Sequence, residues 1–100
     1  MNVEEAVSKV RNYSSDMVLV AKPPLTWGSE ALYVKFADDY GIPSETKAVG
    51  YEYVLGHEDV VTQLGYLSQK IVSARTAAEF IIHYAIHDAG PAWFDDLKGV

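Results

Sequence analysis

Apolar positions recur along the chain with two different periods, and the changes of period divide it into elements. Val3, Val7 and Val10, with Ala6 beside them, follow helical spacing, and Glu4 and Glu5 fall in the first turn, where negative charge favours the helix dipole. A short helix is expected within residues 3–13. Ser14, Ser15 and Asp16 interrupt it, and Met17 to Ala21 form an apolar, β-branched run that Pro23 and Pro24 close, which reads as a strand.

Residues 31–37 support two readings. Leu32, Val34 and Phe36 alternate with Tyr33 and Lys35 as in a half-buried strand, whereas Ser29 could cap a helix ended by Gly41 and Pro43. The strand is favoured, because it can pair with 17–21 across the PPLTWGSE loop. Residues 43–55 are read as a helix, with Pro43 at its start, Glu45 in its first turn and Gly56 past its end, although Val49, Tyr51 and Tyr53 would also alternate on a strand.

The pattern then becomes firmly helical. Val60, Leu64, Leu67 and Ile71 share one face, Glu58 and Asp59 lie at the N-terminus and Lys70 near the C-terminus, so a helix is expected over 59–72. A last long helix begins at Ser73 or Thr76 and ends at Gly90 and Pro91. The tail PAWFDDLKGV forms a hook, with Trp93, Phe94 or Leu97 pinned to the body. The expected fold is a single helix-rich α+β domain spanning 1–100, with a small antiparallel hairpin, from about 17–21 and 31–37, packed on the C-terminal helices.

Composition narrows what such a domain would do. Residues are 49% hydrophobic and 12% aromatic, enough for one core in 100 residues. Fourteen acidic against eight basic side chains leave a net charge of −6, which repels phosphate backbones and anionic lipids, so neither nucleic acid nor membrane is an expected partner. In the FADDYGIPSETKAVGYEYV stretch the recognition segment of a helix-turn-helix would carry Glu45, Lys47 and Glu52, a poor match to phosphates by the same charge argument. With no cysteine, disulfide scaffolds and thiolate metal sites are excluded. Acids at the N-terminus, where a signal peptide would carry positive charge, and the lack of a long apolar run give a cytoplasmic expectation.

Two constellations carry chemistry. Four acidic doublets occur, and two adjoin aromatics, as DDYG and WFDD. Asp38, Asp39, Tyr40, Trp93, Asp95 and Asp96 are therefore the interface candidates: aromatics supply rigid contact area and carboxylates complement a basic partner. The resulting reading is a small acidic protein-binding module, of inhibitor or immunity type towards a basic protein, with self-association through the same aromatics as its variant. It needs no cofactor and has no catalysis of its own.

The alternative is an enzyme, metal-dependent or histidine-based. Glu79, His83 and His87 recur every fourth residue of EFIIHYAIHDAGP, and at 100° per residue they span only about 80° of the helical wheel. Two histidines at i and i+4 can share a divalent ion, with the carboxylate as a third ligand or an orienting group. Tyr84 stands where a zincin carries its catalytic glutamate, so that mechanism does not transfer. His57, in GHED, would add a ligand only if the fold brought it close. The competing reading makes the stripe the solvated side of a helix whose other side chains, Phe80, Ile81, Ile82, Tyr84, Ala85 and Ile86, place it at the centre of the core.

Overall fold

The computed structural model describes residues 1–39 and 41–99. In chain order its elements are α1 (Val3–Ser8), β1 (Met17–Ala21), β2 (Ala31–Lys35), α2 (Ser44–Ala48), β3 (Glu52–Gly56), α3 (His57–Tyr66) and α4 (Ala74–His87), with 3-10 turns at Val10–Asn12 and Ala92–Asp96. The strands form an antiparallel sheet in the order β2-β1-β3. This is the expected α+β domain with one strand more than the expected hairpin. Among the described residues no helix is long and apolar enough to cross a membrane.

β1 lies at the centre of the sheet and reads as a continuous apolar run because both of its faces are covered. Leu19 and Ala21 face the main core, built with Val3, Ala6 and Val7 of α1, Val60 of α3, and Ala78, Phe80 and Ile81 of α4. Val18 and Val20 face the other way, where Ile42, Phe36 and Tyr51 cover them. The β1–β2 register runs from Met17 opposite Lys35 to Ala21 opposite Ala31, as the strand reading of 31–37 requires.

α1 is only six residues long, too short to hold itself, and it is fastened at both ends. Asn2 and Glu5 form a capping box: the Asn2 side chain accepts from the Glu5 N–H at 2.9 Å, and the Glu5 carboxylate accepts from the Asn2 N–H at 3.2 Å. Near its C-terminal end the Tyr33 hydroxyl donates to the Ala6 carbonyl at 2.7 Å, and the Tyr33 ring stacks on Tyr13 at 4.2 Å.

Three expectations are corrected. The helix expected over 43–55 stops at Ala48, and 52–56 is the third strand. Gly50, at φ +98°, is the reason: its N–H donates to the Lys47 carbonyl and that of Tyr51 to Thr46, the paired bonds that close a helix on a left-handed residue. β3 then carries a bulge, because Leu19 opposes Leu55 while Val20 opposes Tyr53 and Val54 has no partner. The extra residue lets Val54 and Leu55, adjacent in sequence, both reach the core.

Second, α3 ends at Tyr66 rather than at 72. Ile71 donates its N–H to the Lys98 carbonyl at 2.8 Å and Lys70 bridges to Gly99, so the tail draws this segment into extended pairing and leaves Ile71 65% exposed. Third, α4 enters the core without being buried along its whole apolar run: Ala78, Phe80 and Ile81 are buried, whereas Ile86 is 59% exposed and Glu79 and His87 are open to solvent. Ser73 caps α4 by accepting from the Thr76 N–H, and Asp88, left-handed at φ 54°, ends it.

Candidate functional site

α4 carries a different surface on each of its flanks. One flank forms a groove of about 360 Å³ with the 25–27 loop and Trp93, and Glu79, His83 and His87 all line it. The i, i+4 spacing stacks the two imidazoles with ring centres 4.5 Å apart and planes inclined at 43°. Nδ1 of His83 lies 2.9 Å from the Ala89 carbonyl. A carbonyl only accepts, so Nδ1 carries a proton, and in the neutral ring the Nε2 lone pair is left free. The chain turns at Asp88, and that turn brings the Ala89 carbonyl back to His83.

Among the described residues no group of three or more histidine or carboxylate side chains is placed to hold a metal ion. His57 is used elsewhere. It is buried at the first position of α3, its Nε2–H donates to the Val10 carbonyl at 2.8 Å, and its Nδ1 is buried with no hydrogen-bond partner. It ties the turn after α1 to the start of α3.

The opposite flank of α4 forms a groove with α3 and the C-terminal hook. Gln63, Tyr66, Phe80, Tyr84, Phe94 and Asp95 line it, around a volume of about 480 Å³. Helical spacing explains the lining: Gln63 and Tyr66 fall at i and i+3 on α3, Phe80 and Tyr84 at i and i+4 on α4, and Asp59 and Asp88 continue the two faces one turn beyond it. The Tyr84 hydroxyl is held above the ordinary tyrosine pKa, first by partial desolvation and then by the negative charges of Asp88 and Asp59. Among the described residues, Asp59, Asp88 and Asp95 form no salt bridge.

The described interface candidates line different parts of the surface. Asp39 accepts from the Gly41 N–H at 2.9 Å, closing the turn after β2, and Asp38 borders a shallow cleft with Asp16 and Lys35. Tyr40 lies outside the described residues. Trp93 meets Phe80 in a T-shaped contact with ring centres 6.2 Å apart and lines the histidine groove. Asp95 lines the tyrosine groove, and Asp96 is exposed beside it in the chain. Sequence reasoning missed Asp59, Tyr66, Tyr84 and Asp88 as a group. The signal was available as two helical spacings, but it needed the packing of α3 against α4 to become one surface.

Other polar groups are locally occupied. Lys22 meets Glu30 at 2.9 Å, and the Tyr51 hydroxyl donates to the same carboxylate at 2.9 Å, so the Glu30 pKa is lowered by those two hydrogen bonds, Lys22 first. Compared with protein-family models, with curated proteins and with solved structures, the chain matches none.

Proposed function

We propose that this domain is a protein-binding module whose tyrosine groove receives a lysine- or arginine-bearing segment of a basic partner, the mode of action of an inhibitor or immunity-type protein. The observation that carries the reading is one concavity lined by Tyr66, Tyr84, Phe94 and Asp95, with the charges of Asp88 and Asp59 acting on the Tyr84 hydroxyl. An arginine or lysine stem can lie along aromatic rings while its charged head meets carboxylates, an arrangement that combines cation–π attraction with charge pairing. The chain supplies an internal example: the Lys70 ammonium sits 5.1 Å from the centre of the Phe94 ring. The net charge of −6 adds long-range attraction for such a partner.

The test uses an arginine-rich peptide and its glutamate counterpart, followed by amide and aromatic NMR shifts. Arginine-peptide shifts should centre on Tyr66, Tyr84 and Phe94, and the glutamate peptide should leave them unmoved. Replacing Asp59, Asp88 and Asp95 together by Asn should weaken binding at least about tenfold and flatten its salt dependence. Equal affinity of the triple variant, or shifts spread evenly over every acidic surface, would refute the assignment.

A further inference from the structure

We propose that His83 and His87 form a binding site for a first-row divalent transition ion such as Zn²⁺, with the two imidazoles as the protein ligands and water at the remaining positions. This site is separate from the tyrosine groove and stands whether or not that groove binds a partner.

The argument begins with the tautomer. Metal-ligating histidines usually donate their second ring N–H to a carbonyl or carboxylate, which orients the ring and raises the basicity of the free nitrogen. His83 has that arrangement already, with Nδ1–H on the Ala89 carbonyl at 2.9 Å. His87, one helical turn on, is exposed, and among the described residues its ring makes no hydrogen bond that metal binding would have to break. An imidazole nitrogen sits about 2.0–2.1 Å from Zn²⁺ and its ring centre roughly 1 Å further, so two rings on a tetrahedral ion have centres about 5 Å apart. The observed separation of 4.5 Å is within reach of a small χ adjustment.

The surroundings also suit an ion. Trp27, Ile82, Ile86 and Trp93 line the groove beside the two rings, and Glu79, exposed in the same lining, adds one negative charge. Glu79 lies two helical turns from His87, about 12 Å along the axis, so it compensates charge without being a third ligand of an ion between the rings. Nitrogen ligands select Zn²⁺, Cu²⁺ or Ni²⁺ over Mg²⁺ and Ca²⁺, which require oxygen.

The experiment is a titration of the full chain with ZnCl₂, and separately MgCl₂, at neutral pH, with imidazole ¹⁵N and ¹³Cε1 shifts followed for each histidine. His83 and His87 should move together and saturate at one equivalent, with binding through Nε2 of His83, while His57 and the magnesium series stay unchanged. His83→Gln and His87→Gln should each weaken Zn²⁺ at least about tenfold, since loss of an orienting group alone typically costs 10–100-fold, and Glu79→Gln should weaken it less. His87→Gln replaces an exposed side chain and leaves the fold intact, so it keeps the test decisive if His83→Gln disturbs the end of α4. Separate saturation of the two histidines, no shift at millimolar Zn²⁺, or undiminished affinity in His87→Gln would overturn the proposal.

Discussion

Tyr33→Phe deletes one oxygen and isolates the contact that ties α1 to the sheet. The hydroxyl is buried and donates to the Ala6 carbonyl at 2.7 Å, while the ring, stacked on Tyr13, is retained in the variant. No cavity forms, so the cost is the hydrogen bond plus whatever desolvated acceptor capacity Ala6 keeps, together about 1–3 kcal/mol. In a chain of 100 residues a loss of about 2 kcal/mol lowers Tm by roughly 10 °C. A second readout comes from pH. Burial, followed by the nearby Tyr13, raises the Tyr33 pKa well above its ordinary value of 10.0. Below pH 10 both folded and unfolded chains hold the proton and the contribution is fully present. Above it the unfolded chain releases the proton while the folded chain keeps it, so native stability falls by up to about 1.4 kcal/mol per pH unit. The Phe variant lacks this decline. Urea unfolding followed by far-UV circular dichroism at several pH values should therefore show a gap of about 2 kcal/mol at pH 7 that closes between about pH 10 and 12. Equal stability at pH 7, or a gap that does not change up to pH 11.5, would refute the reasoning.

Other substitutions probe single elements. Asn2→Ala removes the capping box of α1 and should cost about 1 kcal/mol in urea unfolding, with Asn2→Ser restoring most of it. At Gly50 an added Cβ would meet nothing within 4 Å, so Gly50→Ala isolates the backbone penalty at φ +98° and should destabilise by about 1–2 kcal/mol with an unchanged fold by NMR. Asp88→Gly relieves the left-handed end of α4 and should raise stability by about 0.5 kcal/mol in thermal unfolding while weakening the arginine peptide at the tyrosine groove. A variant that both loses stability and keeps the peptide would contradict both roles of Asp88.

How legible the molecule is follows from the range of the forces involved. Local signals are written in nearest neighbours: the apolar run of β1, the Ser73 cap, the acids in the first turn of α3 and the histidine stripe of α4 are all visible as spacing. Gly50 was equally local, and taking it rather than Gly56 as the helix stop would have ended α2 correctly. The candidate chemistry divides in the same way. His83 and His87 share a groove because four residues are one helical turn, whereas the acidic doublets at 38–39 and 95–96 lie on different surfaces despite their similar neighbours in sequence.

Composition and periodicity thus determined by themselves a single acidic α+β domain, most of its helices, its central hairpin and the histidine pair, because each depends on residues within a few positions of one another. Tertiary structure alone decided that 52–56 is a strand, since β3 exists through its bulged pairing with β1, and that α3 stops at Tyr66, since the tail takes the hydrogen bonds of Lys70 and Ile71. It alone brought Tyr66, Tyr84 and Asp95 into one groove, set the charges of Asp88 and Asp59 to act on Tyr84, and gave His83 its hydrogen bond to the Ala89 carbonyl. In the strand, the shortened helix and the groove, the deciding partner comes from a distant part of the chain. Chain closure over that distance is an energetic outcome of the whole fold rather than of any local pattern.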